Sequence, residues 1–461
     1  MTVGKQSIPA LAKQEAATRI VEQLRAAGHD AYLAGGCVRD LLLGRDPLDF
    51  DVATSATPDL VLATFPRTFA VGAQFGVVLV VGGCGDDEIL TEVATFRSDG
   101  AYSDGRRPDS VRYTSSAEQD VLRRDFTING MLLDPERLET SVTPGDAVLD
   151  FVGGKEDLRH GIIRAIGDPT LRFAEDKLRM LRAVRFAARF GFAIDQNTLH
   201  AIRAAAPEIG QVSRERVREE LTRMLTEGAA RHAFELLEST ALLAEVLPEV
   251  ARMSGVEQPP QYHPEGDVWV HTLMLLGQLP PGCSTTLAWG ALLHDVGKPA
   301  TFRHAPDRIR FDGHVDVGVR IAEQICRRLR MSNSDTEQIL ALVANHMRFA
   351  DVEKMRDSTI KRFFRLDKFD EHLALHRMDC MASHRDLSLY EFAKQRYEAT
   401  EPEQIRPAPL ITGDDLIALG HRPGPAFRQM LGAVEDAQLE GAVHAREEAL
   451  ALIADMFPTK N

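Results

Sequence analysis

The first third of the chain alternates short apolar runs with turns and brief amphipathic segments. Four runs have the length and composition of strands, at residues 31–33, 50–52, 77–81 and 89–96. Helical periodicity separates some of them, at residues 38–43 and 58–64. This alternation predicts an α/β domain over residues 1–150.

From about Thr170 onward the strand pattern disappears, and the chain has the periodicity of amphipathic helices. The clearest helical segments are residues 171–190, 195–205, 213–226 and 232–239. Polar, proline-containing stretches at 254–264 and around 401–409 mark further boundaries. We therefore predict a multidomain α+β protein, in which the α/β head is followed by three all-α domains over residues 151–255, 256–385 and 386–461.

Charge is distributed unevenly along the 461 residues. The formal net charge of −14 argues against long, indiscriminate binding to RNA. Between residues 177 and 189, however, lie five basic residues and no acid, and Arg182, Arg185 and Arg189 share one helical face. This face predicts a local RNA contact, although a solvated helix face has the same pattern.

Cysteine usage and hydropathy indicate the compartment. The five cysteines include no CxxC pair, which suits a reducing cytosol and argues against a disulfide framework or a thiolate zinc site. No apolar run approaches the length of a membrane span, and the N-terminus lacks the pattern of a signal peptide. We predict a cytoplasmic protein without a membrane partner.

A first candidate site lies in the head. Asp49 and Asp51 are two residues apart, so on a strand both carboxylates would project from one face and repel each other unless a cation, such as Mg²⁺, lay between them. Gly35 and Gly36 separate a strand from a helix, where backbone N–H groups can approach a triphosphate. Arg39, one turn into that helix, could contact a phosphate, and Glu92 on a neighbouring strand could supply a third acid.

These residues occur in motifs that resemble a known family. The block 35–40 together with 48–54 resembles the head domain of the class II tRNA nucleotidyltransferase and bacterial poly(A) polymerase family. The block 123–129 resembles its ribose-recognition motif, 150–168 its head-to-neck hinge, and 175–179 its base-selecting neck helix. The resemblance covers roughly residues 20–250 and implies a nucleotidyltransferase head followed by all-α neck, HD and tail domains.

The chemistry of the two later blocks can also be argued from the residues. Asp125 and Asn129 lie four apart, so on a helix they would share a face and could bond a ribose hydroxyl. Asp176 and Arg179, three apart on a helix, pair an acceptor with a donor and could match the edge of C or A while rejecting U and G. The alternatives are a cap with a surface amide for the first pair, and an ordinary intrahelical ion pair for the second.

The resemblance implies that the enzyme adds CCA to tRNA 3′ ends from CTP and ATP without a nucleic-acid template. Two metal ions would assist, one at the RNA 3′-hydroxyl and one at the pyrophosphate. The implied catalytic residues, which also hold Mg²⁺ at Asp49 and Asp51, are Asp49, Asp51 and Glu92. The implied nucleotide-binding residues are Gly35, Gly36, Arg39, Asp125, Asn129, Asp176, Arg179, Arg182 and Arg185, and the RNA-binding residues are Arg182, Arg185 and Arg189.

Two other members of this family are alternatives. The segment 98–108 is rich in Gly, Ser and Asp and predicts a mobile loop, which resembles the element needed for adding the terminal A. Its presence favours full CCA addition or A addition alone. Poly(A) synthesis ranks lower, because the C-terminal segment 444–461 mixes acids with few bases instead of forming a basic extension.

A second candidate site lies in the predicted third domain. Histidines and aspartates occur there in the order His271, His294-Asp295, His314, His346 and Asp379, which resembles the HD phosphohydrolase superfamily. The resemblance implies that a divalent metal binds His271, His294, Asp295 and Asp379. His314 and His346 would serve a second metal or the phosphate, and Lys298 is either a phosphate contact or a helix-end charge.

That superfamily implies phosphodiesterase or phosphatase activity, with 2′,3′-cyclic phosphate ends as a candidate substrate. A hypothesis of another class follows, in which the chain is an HD phosphohydrolase whose head only binds RNA or nucleotide. A non-catalytic RNA chaperone is disfavoured, because it would make both ligand sets accidental.

Overall fold

A computed structural model describes residues 9–70, 76–82, 88–99, 111–261, 263–306 and 308–458. The chain divides into two compact units, Met1–Pro248 and Glu249–Asn461. Most of the predicted loop 98–108 lies outside the described residues, as does Cys84. The finer division into four domains stays a prediction.

The head is built on a seven-stranded mixed sheet. The strands of the first unit are β1 (Ala31–Ala34), β2 (Asp51–Thr54), β3 (Thr68–Phe69), β4 (Val77–Gly82), β5 (Ile89–Thr95), β6 (Arg97–Asp99), β7 (Val111–Tyr113), β8 (Met131–Leu133), β9 (Val148–Asp150), β10 (Ile162–Ile163) and β11 (Ala193–Ile194). The strand order in the sheet is β3-β4-β5-β2-β1-β8-β9, and among its described pairs only β2–β5 is parallel. An α/β head followed by helical regions was predicted, and it is confirmed.

Strand pairing brings three parts of the predicted head site together. The antiparallel β1–β2 pair sets Ala34 opposite Asp51, so the Gly35–Gly36 turn follows directly beside that aspartate. The parallel β2–β5 pair sets Val52 opposite Val93, which leaves Asp51 and Glu92 as neighbours at the preceding position. In a parallel pair such neighbours project from the same face of the sheet.

Helices form the rest of the first unit, and the long N-terminal helix packs on the sheet through buried residues such as Ile20, Val21 and Leu24. The helices are Ala10–Ala26, Gly36–Leu42, Pro58–Thr64, Ala117–Leu122, Pro135–Thr140, Gly154–His160, Pro169–Glu175, Leu178–Phe190, Gln196–Ala205, Arg214–Thr226, Ala230–Ser239 and Leu242–Val246, with Pro248–Ala251 at the unit boundary. Short 3-10 helices occupy Thr127–Asn129, Pro144–Ala147 and Ala206–Gln211.

Three local predictions were wrong, two for this unit and one for both units. Asp49 precedes β2, which begins at Asp51, so the two carboxylates do not lie on one strand. The single helix predicted over 171–190 is two helices that break at Asp176, whose backbone is extended (φ −145°, ψ 103°). Short strands also continue beyond Thr170, at β11 in this unit and at β12 and β13 (Arg303–His304 and Ile309–Arg310) in the second.

The second unit is helical around one deeply buried helix, Thr285–Leu293, which is apolar on all sides. Helices Val268–Leu276, Asn333–Asn345 and Phe369–Ala382 pack against it. The remaining helices are Lys298–Thr301, His314–Arg328, Asp357–Phe364, Ser388–Glu398, Pro402–Ile405, Gly413–Ala418, Ala426–Leu439 and Arg446–Met456, with a 3-10 helix at His346–Lys354. An aromatic cluster that includes Phe349, Phe363 and Phe369 fills a second core.

No helix in the described part of the chain is both long enough and apolar enough to cross a membrane. The four described cysteines, Cys37, Cys283, Cys326 and Cys380, are free thiols. The cytoplasmic location stays a prediction.

Candidate functional site

A cleft of about 520 Å³ in the first unit contains most of the predicted head residues. Nine arginines and three aspartates line it, so its surface is strongly basic although the chain as a whole is acidic. The lining residues are Gly35, Gly36, Arg39, Asp51, Arg123, Arg124, Asp125, Asn129, Asp176, Leu178, Arg179, Arg182, Arg185, Phe186, Arg189, Arg216 and Arg223. Such a concentration of guanidinium groups suits a triphosphate or an RNA backbone.

Acidic residues meet at the edge of this cleft. Burial, and then the negative charge of Glu92 on the neighbouring strand, raise the pKa of Asp51 to about 6, and Asp49 adds to this effect. Asp49 itself is 79% exposed at its side chain and lies 3.1 Å from the ammonium of Lys13. A cation relieves the repulsion that neighbouring carboxylates exert on Asp51, so this donor set fits Mg²⁺.

The glycine turn begins the helix Gly36–Leu42. Gly35 has φ +75°, a conformation that favours glycine, and the Arg124 guanidinium lies 3.5 Å from the position that a Cβ would take there. Arg39, predicted to contact phosphate, is instead 4% exposed. Its guanidinium donates to Asn129 Oδ1 at 2.6 Å and lies over the ring of Phe190. In this arrangement Arg39 orients the side chain of Asn129.

Asp125 and Asn129 do face each other, but not because they share a helix. Asp125 precedes the short 3-10 helix Thr127–Asn129, and the Asn129 amide donates to its Oδ1 at 3.2 Å. Arg182 donates to the other oxygen at 2.7 and 2.9 Å. Although burial alone would raise the pKa of Asp125, the charge of Arg182 lowers it. Asp125 is therefore a fixed, ionised acceptor in the cleft.

Asp176 and Arg179 each have partners within the chain. Arg216 holds both Asp176 oxygens at 2.8 and 3.2 Å, and the Leu178 amide donates to Oδ1 at 3.1 Å. Arg179 donates to Glu175 at 2.8 Å and to the Arg123 carbonyl at 3.0 Å. Contacts within the chain thus fix the orientation of both side chains.

The predicted RNA-binding arginines differ in burial. Arg185 is 3% exposed and lies 2.6 Å from the buried Glu220. Arg189 is more exposed and lies 3.7 Å from Glu227. Both line the cleft, together with Arg182, and their shared helical face is present in the helix Leu178–Phe190.

Four further arginines line the cleft that were not among the predicted site residues, although two of them lie in the motif 123–129. Arg123 and Arg124 are both held by Asp120. Arg216 and Arg223 lie seven apart on the helix Arg214–Thr226 and therefore share a face. This i, i+7 spacing is the signal that could have revealed the second pair.

The second unit brings all six predicted metal-site residues together. Two groups of ligand atoms within 4.8 Å of one another are formed by His271, His294 and Asp379, and by Asp295, His314 and His346. Asp295 lies between them: its Oδ2 is 3.1 Å from His294 Nε2, and its Oδ1 is 3.8 Å from His314 Nε2 and 3.7 Å from His346 Nε2. One aspartate therefore faces both groups.

The histidines are oriented by their other ring nitrogens. The Nδ1 atoms of His294, His314 and His346 lie 2.8–3.0 Å from the carbonyl three residues earlier, and Nδ1 of His271 lies 2.8 Å from Glu265. Carbonyl and carboxylate oxygens accept, so each Nδ1 is the donor in its contact and each ring turns its Nε2 toward the site. Nε2 atoms that converge in this way, with those of His271 and His294 3.3 Å apart and each beside a carboxylate, fit a divalent metal.

Two further residues, Glu265 and Lys298, lie beside this site. Glu265 was not predicted, and two alternatives were left open for Lys298. Glu265, in the loop before the helix Val268–Leu276, also accepts from His263 at 2.8 Å. Lys298 is buried, 2.7 Å from both Asp295 and Gln258. Although burial raises the pKa of Asp295, the charges of Lys298 and His294 lower it well below its usual range. Lys298 thus acts inside the site and is not a solvent-exposed helix-end charge.

We expect Gly297→Ala to destabilise the second unit. A Cβ at Gly297 would overlap the carbonyl oxygen of His314 and the amide nitrogen of Gly318. Backbone must move to admit it, at a cost of about 1–3 kcal/mol or more. Urea unfolding measures the loss in the free energy of unfolding.

The matched control is Gly432→Ala, in the interior of the helix Ala426–Leu439, where a Cβ would have no atom within 4 Å. This substitution should stabilise the protein by about 0.5–1 kcal/mol. Equal stabilities for the two variants would contradict this packing.

Three segments match models of known domain families. Residues 31–164 match the poly A polymerase head domain, residues 191–253 the "probable RNA and SrmB-binding site of polymerase A", and residues 268–379 the HD domain. Together with the fold and the two sites, these matches define a nucleotidyltransferase-type protein that carries an HD domain.

Relatives narrow the class. A CCA-adding enzyme of Levilactobacillus brevis is 30% identical over 439 residues, which cover 95% of this chain and 96% of that protein. One from Geobacillus thermodenitrificans is 44% identical over 223 residues, and in that match the chain spans about half the length of the curated relative (52%). The crystal structure of the Bacillus stearothermophilus CCA-adding enzyme in complex with CTP aligns at 28% identity with a TM-score of 0.73, covering 96% of this chain and 97% of that one.

The chain belongs to the family of CCA-adding enzymes. The family predicted from the sequence motifs is therefore confirmed, while the roles assigned to individual residues stay predictions.

Proposed function

We propose that this protein adds C, C and A to the 3′ ends of tRNA from CTP and ATP. The proposal rests on the basic cleft. The acidic group around Asp51, which suits Mg²⁺, lies at its edge, and the acceptor Asp176 and the donor Arg179 line it. The family supports it, and so does the complex of the Bacillus stearothermophilus enzyme with CTP.

Asp49, Asp51 and Glu92 would hold Mg²⁺ ions in this proposal. Bound there, two such ions would activate the RNA 3′-hydroxyl and stabilise the pyrophosphate leaving group. The exposed Asp49 side chain is free to reorient by breaking a single surface ion pair with Lys13, which costs little. The basic cleft would neutralise the triphosphate and position it for in-line attack.

Asp125 and Asn129 would bond the ribose, and Asp176 and Arg179 would read the base. Arg179 donates to the O2 and N3 acceptors of cytosine, while Asp176 accepts from the exocyclic amine. Adenine also places an amine beside a ring-nitrogen acceptor, so a small rotation admits it. Uracil and guanine present the opposite pattern, and no template is needed for their rejection.

The RNA strand would lie along the arginines. Arg189 and Arg223 line the cleft beside Arg182 and Arg185, and guanidinium groups suit phosphate recognition. Arg185 is held by Glu220, so we assign it to shaping this surface as much as to contacting RNA.

A-only addition and poly(A) synthesis are the alternatives within this class. The relatives reported above are CCA-adding enzymes, which favours full CCA addition. A tRNA transcript ending at the discriminator base, incubated with CTP, ATP and Mg²⁺, should gain three nucleotides, and chelation should stop the reaction. No incorporation into this transcript would contradict the proposal.

We expect Asp176→Asn to impair base selection. An amide replaces one acceptor by a donor, which opposes the amine of cytosine and suits a carbonyl of uracil instead. The preference for CTP over UTP should fall by about 10²-fold or more, because a site built for a specific hydrogen bond discriminates by such factors. Competition between the two nucleotides on one transcript measures the ratio. An unchanged ratio would remove Asp176 from base reading.

For the second unit we propose a metal-dependent phosphohydrolase. The inward Nε2 atoms of His271 and His294, with Asp295 and Asp379, would hold one metal, and His314 and His346 a second metal or a phosphate. Such metals would generate a hydroxide nucleophile and polarise the phosphoryl group. RNA ending in a 2′,3′-cyclic phosphate tests the activity, and ring opening that survives chelation would contradict metal dependence.

A further inference from the structure

We infer that Arg216 is a specificity-determining residue, which fixes the Asp176 carboxylate so that it accepts from one direction only. The inference rests on the proposed nucleotide addition. Arg216 lies in the first turn of the helix Arg214–Thr226, inside the segment 191–253 that matches an RNA-binding family, and it lines the same cleft as Asp176.

The contact between the two side chains is bidentate. Arg216 Nη2 lies 2.8 Å from Asp176 Oδ2, and Nη1 lies 3.2 Å from Oδ1. Both side chains are mostly buried, with 21% and 16% exposed. A two-pronged guanidinium–carboxylate pair fixes the carboxylate plane, whereas a single contact leaves it free to rotate.

The described contacts occupy most of the acceptor sites of the Asp176 carboxylate. A carboxylate offers about four lone-pair sites. Arg216 occupies one on each oxygen, and the Leu178 amide occupies a second on Oδ1 at 3.1 Å. Among the contacts of the described residues, one site remains free, on Oδ2. Asp176 therefore presents a single acceptor with a fixed direction to the cleft.

A single fixed acceptor discriminates between bases according to where each base carries its hydrogen-bond donor. Cytosine and adenine carry an exocyclic amine, which can be set opposite that site while Arg179 donates to the ring. Uracil also has a donor, its ring N3–H, but this lies between two carbonyls and away from the amine position. A carboxylate free to rotate could turn to accept from N3–H. Arg216 prevents that rotation and so excludes uracil.

The backbone at Asp176 makes an external restraint necessary. The residue lies in the break between helices Pro169–Glu175 and Leu178–Phe190, in an extended conformation. Its backbone amide still donates to the Arg172 carbonyl at 3.4 Å, but its carboxylate is oriented by the Leu178 amide and by Arg216. Within the described part of the chain, Arg216 is the residue whose side chain donates to the Asp176 carboxylate.

The test compares Arg216→Ala and Arg216→Lys with Arg214→Ala, a control on the same helix that is not among the described lining residues of the cleft. The specificity constants kcat/KM for CTP, UTP and GTP are measured on a tRNA transcript ending at the discriminator base, and that for ATP on a transcript ending in CC. We expect the CTP-to-UTP ratio to fall by about tenfold or more in Arg216→Ala. Arg216→Lys should recover the rate better than the ratio, because an ammonium cannot form the two-pronged contact. Arg214→Ala should match the wild type.

A merely structural role gives a different result. If Arg216 only joins two helices, both variants lower kcat/KM for all four nucleotides equally and leave the ratio unchanged, which would overturn the inference. Thermal unfolding of each variant shows whether the fold persists, and Arg216→Lys keeps the test valid if Arg216→Ala does not fold. A wild type without preference for CTP would refute the proposed function itself, whereas a selective wild type with an equally selective Arg216→Ala refutes only the role of Arg216.

Discussion

Asp51→Asn is expected to abolish nucleotide addition while leaving the fold intact. Asp51 is partly buried beside Glu92 at the edge of the cleft. Its carboxylate is therefore less free to move than the exposed carboxylate of Asp49. Loss of a carboxylate that holds Mg²⁺ removes several kcal/mol of transition-state stabilisation, so kcat should fall by roughly 10³-fold or more. Radiolabelled CTP incorporation into a tRNA transcript measures the loss.

Stability should change in the opposite direction. Burial and Glu92 raise the pKa of Asp51, so the ionised carboxylate is unfavourable there when no cation is bound, and the neutral amide relieves this repulsion. In the presence of a chelator the variant should melt at the same temperature as the wild type or higher. Asp59→Asn, at an exposed aspartate of the head, is the matched control and should be fully active. Retained activity in Asp51→Asn would refute the assignment of the acidic site.

Asp295→Asn is expected to remove metal from the second unit. Asp295 faces both ligand groups, so its loss affects each of them. Replacing even an indirect partner of a metal ligand costs about 10–100-fold in affinity, and a direct ligand should cost at least as much. Metal content after dialysis, determined by mass spectrometry, measures the effect, and nucleotide addition should persist.

The buried Lys298 requires a second variant. Asp295→Asn leaves this ammonium without its carboxylate partner, which destabilises the fold. The double substitution Asp295→Asn with Lys298→Met removes both charges and should restore stability but not metal binding. Asp351→Asn, at an exposed aspartate of the 3-10 helix His346–Lys354, is the control for charge loss alone. Full metal occupancy in the double variant would contradict the proposed ligand set.

Much of this organisation could be predicted from local patterns. Periodicity predicts the strand at 77–81 and the helix Pro58–Thr64. The two glycines between an apolar run and a helical pattern predict the turn that lies beside Asp51. The HD residues could be grouped because their order along the chain resembles a known superfamily, and the fold then brings all six together.

Contacts between distant segments could not be predicted in this way. The break at Asp176 is stabilised by its own side chain, which bonds the Leu178 amide, and by Arg216, forty residues later. Periodicity alone predicts one continuous helix over residues 171–190. Arg39 illustrates the same limit: its spacing suits phosphate, yet its environment includes Asn129 and Phe190 from elements that the local pattern cannot pair with it.

The central claim is tested most directly by sequencing 3′ ends. Three tRNA transcripts, ending at the discriminator base, at C and at CC, are each incubated with all four nucleoside triphosphates and Mg²⁺. We predict that all three are completed to CCA and then extended no further. Extension of the CC transcript alone would identify an A-adding enzyme, and long A tracts would identify a poly(A) polymerase; either result would contradict the account.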